Sequence, residues 1–99
     1  MAHRLSPEAE AELDDIWRRV VTEGGSEAAA DAVVDLITDF ILLSEWPRLG
    51  RARNDWRPGL RGLPAGDYVI FYRITRAGVV IHRLLHGHRD ISGILGRQS

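Results

Sequence analysis

The histidines of this 99-residue chain, which are suited to acid–base chemistry near neutral pH, lie mostly in its C-terminal half. Three of the four histidines, His82, His86 and His88, are found there, and Arg83 and Arg89 stand beside them. A nuclease that works without a metal ion needs a base, an acid and cations around the scissile phosphate. His86, His88 and Arg89 are therefore the candidate catalytic residues if the chain cuts RNA.

Strand geometry limits how these residues can cooperate. Side chains along a strand alternate between its two faces, which predicts His82 and His86 on one face and Arg83 on the other. His82 and His86 are then about 13 Å apart, at about 3.3 Å per residue, which is too far to share one metal ion. We therefore predict no metal site and no cofactor, and we interpret these histidines as residues at the rim of a sheet.

Composition removes several classes of chemistry. The chain has no cysteine, which excludes disulfides, thiolate catalysis and sulfur-ligated zinc. Its thirteen basic residues are all arginine, so no lysine can serve as an acid, a base or a Schiff-base former. No glycine-rich loop of the kind that cradles phosphate is present.

The small net charge of -1 conceals a strong asymmetry. Residues 1–45 contain eleven acidic residues and three arginines, a net charge of -8. Residues 46–99 contain three aspartates and ten arginines, a net charge of +7. Such a basic half favours an acidic partner, either nucleic acid or an acidic protein segment.

Two helices are predicted in the N-terminal half. Ser6 caps the first helix and Pro7 suits its first position, since proline has no N–H to satisfy. The Gly24-Gly25 pair ends this helix, Ser26 begins the second, and Pro47 stops it. The short glycine link predicts an antiparallel helical hairpin.

Apolar residues recur at helical intervals along both helices, so each should have one face against a core. We expect Trp17 and Phe40 to face the sheet. The apolar positions are Ala9, Leu13, Ile16, Trp17, Val20 and Val21 in the first helix, and Ala29, Val33, Leu36, Ile37, Phe40 and Ile41 in the second. A DNA-reading helix-turn-helix is disfavoured, because the polar face of the second helix carries aspartates that repel phosphate.

Strand patterns dominate the C-terminal half, where β-branched and aromatic residues alternate between short turns. The predicted strands are Leu60–Leu63, Tyr68–Ile74 and Val79–His86, with a possible edge strand at His3–Leu5 and an arginine-rich loop over 47–58. The short turns imply an antiparallel meander. The expected fold class is α+β, a helical hairpin on a small antiparallel sheet in the order β-α-α-β-β-β, as a single domain over residues 1–99.

No apolar run approaches the ~20 residues needed to cross a bilayer, and the N-terminus has no apolar signal segment. We therefore expect a cytoplasmic protein without a membrane partner.

Four stretches together resemble the RelE/ParE family of type II toxins, and the resemblance extends from Leu5 to Ile91. These stretches are LSPEAEAELDDIW, PRLGR, RPGLRGLPAGDYVIFYRI and VVIHRLLHGHRD. The phrases RPGLR, YVIFYR and LHGHRD are most similar to the ParE branch. The resemblance implies a toxin that poisons DNA gyrase and forms a hetero-oligomer with a small ParD-like antitoxin. Such an antitoxin has a DNA-binding N-terminus and an extended C-terminal arm.

The RelE branch cleaves messenger RNA on the ribosome, and its catalytic pattern is only partly present. Members resembling RelE have lysines before the central hairpin, where this chain has Arg61, and an arginine at the next strand, where it has Val69. Arg89 matches the arginine after the last strand, but no tyrosine follows it. His86 and His88 keep a histidine-based, ribosome-dependent mRNA endonuclease as the alternative. An inactive module that only binds its antitoxin is the third hypothesis.

The resemblance and the incomplete catalytic pattern favour inhibition of gyrase by protein–protein contact rather than by an enzymatic reaction. Arginine pairs well with carboxylates and phosphates at such an interface. Arg61, Arg83 and Arg89 are the leading candidates for contacting the target, although Arg83 is also placed to anchor the sheet.

Overall fold

The computed structural model describes residues 2–22 and 27–87. Within these residues it has two helices and five strands. They are β1 (Ala2–Leu5), α1 (Pro7–Thr22), α2 (Glu27–Glu45), β2 (Arg51–Ala52), β3 (Arg61–Ala65), β4 (Tyr68–Thr75) and β5 (Gly78–His86). The expected α+β class and element order are confirmed, with β2 as a short addition inside the predicted loop.

The five strands form one sheet in the order β1-β5-β4-β3-β2. The antiparallel meander is confirmed for β3, β4 and β5, whereas β1 runs parallel to β5 and makes the sheet mixed. Gly78 permits this pairing: its φ is 138°, and a Cβ there would collide with the backbone of Ala2. The N-terminal strand therefore depends on a glycine at the start of β5.

The first helix is fastened to β5 at its start. The Ser6 hydroxyl accepts a hydrogen bond from the Ala9 amide at 3.1 Å, which confirms Ser6 as the helix cap. The same hydroxyl donates to the His82 carbonyl at 2.8 Å, and the Ser6 amide donates to the Ile81 carbonyl at 2.8 Å. Ser6 therefore follows β1 directly, caps α1 and continues the hydrogen bonding along β5. The predicted cap of the second helix, Ser26, lies outside the described residues.

The main core lies between the two helices and one face of the sheet, which we call the helix side. It contains Ala9 and Ile16 of α1, Val33, Leu36, Phe40 and Leu43 of α2, and Ala65, Ile70, Tyr72, Val79, Ile81 and Leu84 of the sheet. Phe40 is only 2% exposed, so the prediction that it faces the sheet is confirmed.

The prediction that Trp17 faces the sheet is wrong, because this side chain is 53% exposed. On α1 the buried positions Ala9 and Ile16 are joined by the partly buried Leu13 and Val20. Trp17 follows Ile16 by one residue, which rotates its side chain about 100° around the helix axis from Ile16 and places it outside that stripe. Ile37 on α2 is exposed for the same reason. The apolar arc of each helix is therefore wider than the face it packs on the sheet.

The opposite face of the sheet, the open side, has a smaller apolar cluster and no helix residue within it. Leu60, Phe71 and Leu85 are buried there, with Trp56 and Val69 packed against them. The rings of Trp56 and Phe71 meet edge to face, with centroids 4.6 Å apart. Side chains on this face are therefore available for functions other than packing in a core.

The strand β3 differs most from its predicted bounds, whereas β1, β4 and β5 each differ by one residue at one end. The strand expected at Leu60–Leu63 runs over Arg61–Ala65, and the turn moves to Gly66, whose φ is 62°. Pro64 is tolerated inside β3 because β2 pairs only with Arg61 and Gly62, which leaves that edge free beyond them. A proline without an N–H costs no ladder hydrogen bond at a free edge.

A β-bulge interrupts the pairing of β4 with β5. Phe71 is opposite Arg83 whereas Tyr72 is opposite Ile81, so His82 is the additional residue on β5. A bulge leaves two residues facing one partner and resets the alternation of side chains beyond it.

Neither helix in the described part of the chain is long and apolar enough to span a membrane.

Candidate functional site

A groove of about 460 Å³ lies on the open side, between the sheet, the start of α1 and the loop before β3. Its floor is apolar and its rim is charged. The lining residues are Glu8, Trp56, Arg57, Leu60, Phe71, Arg73, His82 and Arg83. The bulge explains why His82 and Arg83, which are neighbours in sequence, both line it. We call this site the open-side groove.

The bulge also overturns one prediction about the histidines. His82 and His86 were expected on one face of the last strand, and this is wrong. His86 lies on the helix side opposite Tyr68, with ring centroids 5.5 Å apart, whereas His82 lines the open-side groove. Alternation counted from the sequence fails here because one additional residue separates the two positions.

Arg83 is held by the protein itself. Its Nε donates to Glu12 Oε2 at 3.0 Å and its Nη2 donates to the same oxygen at 2.9 Å. Glu12 Oε1 also accepts a hydrogen bond from the Leu84 amide at 2.9 Å. A two-pronged arginine–carboxylate pair of this kind is among the stronger polar contacts in proteins. Arg83 therefore ties α1 to β5, the anchoring role that the sequence left open.

Arg61 lies on the other side of the sheet from Arg83. It is opposite Tyr72, and its Nη2 donates to the carbonyl oxygens of Gly50 at 2.6 Å and Arg48 at 3.1 Å. These bonds hold the loop that follows α2. The structure thus places Arg61 and Arg83 apart, each with internal partners, while the other predicted residues, His88 and Arg89, lie outside the described residues.

Two arginines that the sequence did not rank highly line the open-side groove. Arg73 Nη1 donates to the Pro58 carbonyl, so only one of its five donors has a partner in the described structure. Arg57 is exposed, and its side chain has no hydrogen bond or ion pair within residues 2–22 and 27–87. The signal for them was the alternation of Arg73 with Phe71 along β4 and the adjacency of Arg57 to Trp56.

Positive charge is concentrated around His82. Burial lowers the pKa of this imidazole below its usual value, and Arg73 lowers it further. Arg4 and Arg57 act in the same direction, whereas the Glu8 carboxylate opposes them. The groove therefore disfavours an additional positive charge and favours an anion.

No three histidine or acidic side chains in the described part of the chain lie close enough together to hold a metal ion. The groups that the described groove offers to a ligand are therefore arginine guanidiniums, one imidazole and an apolar floor.

A second candidate surface lies on the helices, the loop that follows them and the end of β4. Large apolar side chains are exposed there, and we call them the helix-side apolar surface: Trp17, Val21, Val34, Ile37, Ile41, Leu42, Trp46, Leu49 and Ile74. Trp46, Leu49 and Ile74 also line a cavity of about 550 Å³. Apolar exposure on this scale is typical of a protein-binding surface.

Comparison with known proteins gives a consistent result. A family model described as "ParE toxin of type II toxin-antitoxin system, parDE" matches residues 4–91. The chain is 36% identical to Toxin ParE1 of Mycobacterium tuberculosis over 88 residues, which is 88% of this chain and 90% of that protein. It is also 36% identical to Toxin ParE1 of Caulobacter vibrioides over 94 residues, 95% of this chain and 97% of the relative.

A solved structure supports the same assignment. A chain from the structure titled "Chromosomal ParDE TA system from P. aeruginosa" superposes with a TM-score of 0.70 and 26% sequence identity. The match covers 87% of this chain and 95% of that chain. Fold, family match and relatives agree with the resemblance seen in the sequence. The chain therefore belongs to the ParE toxin family of type II toxin–antitoxin systems.

Proposed function

We propose that this protein inhibits DNA gyrase by binding to it and does not cut RNA. The observation that carries the proposal is that His86 and Arg83, two residues of the last strand that a nuclease could use, lie on opposite sides of the sheet. His86 packs on Tyr68 on the helix side, whereas Arg83 is on the open side and is paired with Glu12. A general base or acid must lie within hydrogen-bond reach of the reacting group, close to the cations that stabilise it.

The chemistry of the remaining residues supports the same proposal. The chain has no lysine, and Val69 stands where the RelE branch places an arginine. Among the described residues, what remains on the open side is a set of arginines and one imidazole, His82, around an apolar floor. The arginines suit binding rather than proton transfer, because arginine stays protonated at all physiological pH values.

The test compares two reactions with the same purified protein. In the first, gyrase, ATP and relaxed plasmid are incubated with increasing toxin, and we expect lost supercoiling or trapped cleaved plasmid. In the second, translating ribosomes and messenger RNA are incubated with the same amounts, and we expect intact transcripts. Cleavage of the message at defined codons, with gyrase unaffected, would refute the proposal in favour of a ribosome-dependent nuclease.

We further propose that a cognate, ParD-like antitoxin binds this protein and covers the helix-side apolar surface. The similar solved structure is of a ParDE system, and ParE relatives share most of the chain length. On each helix the exposed apolar stripe runs beside the buried one, for example Val34 and Ile41 beside Val33 and Phe40 on α2. An amphipathic segment can bury such a stripe.

The antitoxin proposal is tested by co-purification with the product of the neighbouring small gene. Ile41→Ser on the exposed stripe should weaken capture about tenfold or more, because a buried aliphatic anchor is lost. Asp35→Ser, an exposed change elsewhere on α2, is the matched control and should leave capture unchanged. If the two proteins migrate separately in physiological salt, or if both variants bind like wild type, the proposal is wrong.

A further inference from the structure

We propose that the open-side groove is the surface that contacts the target, and that it binds an acidic segment of that protein. A carboxylate of the segment would pair with Arg57 and Arg73, and an adjacent apolar side chain would lie against Trp56 and Phe71. This inference deepens the proposed function and rests on it, since the target is taken to be a protein.

The arginines at the groove differ in how many of their hydrogen-bond donors are already used within the protein. Arg83 is already paired with Glu12. Arg73 uses one donor on the Pro58 carbonyl, and the Arg57 side chain has no hydrogen bond or ion pair within the described residues. A guanidinium forms two parallel hydrogen bonds to a carboxylate. Arg57 and Arg73 therefore provide the groove's remaining sites for an anion.

The floor of the groove fits a protein segment rather than a lone ion. Trp56 and Phe71 meet edge to face above the buried Leu60, and the whole groove measures about 460 Å³. Aromatic residues together with arginine are the side chains that carry most binding energy at protein interfaces. An acidic residue followed by an apolar one would satisfy both the rim and the floor.

Charge balance favours a carboxylate over the backbone of a nucleic acid. Glu8 lines the groove with three arginines, and Arg83 is already paired with Glu12. Duplex DNA carries one negative charge per ~1.7 Å of axis and would bring several phosphates against these acids, whereas a single carboxylate needs only Arg57 and Arg73.

The position of the groove separates it from the proposed antitoxin surface. The groove is on the open side, whereas the exposed apolar side chains are on the two helices, the loop after α2 and the end of β4. A change confined to the groove should therefore affect the target and spare the antitoxin.

The experiment uses the full chain with Arg57→Glu and Arg73→Glu combined. We expect inhibition of gyrase supercoiling to need about tenfold more protein or worse, since reversing charge places like charges against the acidic segment. Antitoxin capture should be unchanged. Arg19→Glu combined with Arg76→Glu is the matched control, because both residues are exposed, neither lines the groove, and the charge change is the same.

A second measurement detects binding of an acidic peptide to the groove in the absence of gyrase. The His82 ring is followed by NMR while a short peptide of alternating aspartate and leucine is added. A bound carboxylate should raise the pKa of His82, against the lowering that burial, Arg73, Arg57 and Arg4 impose, and in the same direction as Glu8. The double variant should show no such response, and a lysine–leucine peptide should have no effect on wild type.

The outcomes are distinguishable. Equal inhibition of gyrase by wild type and the double variant overturns the inference and leaves the proposed function standing. A wild type that ignores gyrase but whose His82 responds to the acidic peptide refutes the proposed function and supports the groove as a carboxylate site. A stronger response to inorganic phosphate or to a single-stranded oligonucleotide than to the peptide overturns it in favour of nucleic acid.

Two further outcomes bear on the same variants. Loss of antitoxin capture by a folded double variant overturns the inference, because the groove would then belong to the antitoxin. If the glutamate variant does not fold, as judged by circular dichroism, Arg57→Gln combined with Arg73→Gln replaces it. We expect that variant to weaken inhibition by a smaller factor, and no weakening would count against the groove.

Discussion

The two sides of the sheet use the same residue types for different purposes. On the helix side, Arg61 donates to the backbone carbonyls of Arg48 and Gly50, and Tyr72 is fully buried. On the open side, Arg73 keeps most of its donors available above an apolar floor, and His82 is only partly buried. Arg61 therefore stabilises a loop, whereas Arg73 keeps most of its donors for a ligand.

This contrast predicts how substitutions on the two sides should differ. Changes at buried residues on the helix side should act on the free energy of unfolding, because those groups have lost their contact with water. Changes at the accessible residues of the open-side groove should act on binding and on the response to pH.

The largest effect is expected from Phe40→Ala, since Phe40 is 2% exposed in the helix-side core. Truncating a buried phenylalanine typically costs about 3–5 kcal/mol, which is a large part of the ~5–15 kcal/mol that stabilises a small domain. We expect the variant to be unfolded or close to it at 37 °C. Thermal melting followed by circular dichroism measures this.

Trp17→Ala is the control for that experiment, because Trp17 is an aromatic residue on the other helix and is 53% exposed. We expect it to fold with nearly the wild-type melting temperature and to lose antitoxin affinity instead. A Trp17→Ala protein as unstable as Phe40→Ala would show that the helices pack differently from the structure described above.

The contrast between these two aromatic residues shows what the sequence could and could not predict. Helical spacing identified both helices and their apolar arcs, because 3.6-residue periodicity follows from backbone geometry alone. It could not divide each arc into a buried part and an exposed part. That division depends on how far the sheet reaches around each helix, which is a tertiary property, and so Phe40 was assigned correctly and Trp17 was not.

The candidate site was less predictable than the fold. Alternation placed Arg83 and His86 on opposite sides of the sheet, as found, but it placed His82 with His86, which the bulge prevents. Nothing in the local sequence marks an additional residue in the middle of a β-branched strand. Similarly, the backbone partners of Arg61 come from a loop eleven and thirteen residues away, so its structural role was not visible from its neighbours.

An intermediate effect is expected from Tyr72→Phe on the helix side. The Tyr72 hydroxyl donates to the Pro47 carbonyl at 2.6 Å and accepts from the Gly50 amide at 2.8 Å. Removing it leaves two backbone groups without this partner, at a cost of about 1–3 kcal/mol. Urea unfolding should show a lower midpoint with an unchanged slope.

The matched control is Tyr68→Phe, which removes the other tyrosine hydroxyl from the same strand. The Tyr68 hydroxyl has no hydrogen-bond partner among the described residues, and its ring contacts His86 instead. We expect its midpoint to stay close to that of wild type. Equal losses for the two variants would mean that the Pro47–Gly50 loop is not held by Tyr72.

The smallest effect concerns His82 on the open side, where stability should depend weakly on pH. Burial lowers the pKa of His82 in the folded protein, Arg73, Arg4 and Arg57 lower it further, and Glu8 partly compensates. The unfolded chain therefore takes up a proton at a higher pH, near the ordinary histidine value of about 6.5, than the folded chain does. Protonation favours unfolding, so this contribution to stability is present above the ordinary histidine pKa and is lost as the pH falls through the lowered pKa of the folded protein.

The melting temperature of wild type should consequently fall more between pH 7.5 and 5.5 than that of His82→Gln. Arg73→Gln, which removes the second cause of the lowering, should lie between them. A His82 ring that titrates above the ordinary value by NMR would contradict both the crowding of cations around it and the division between the two sides of the sheet.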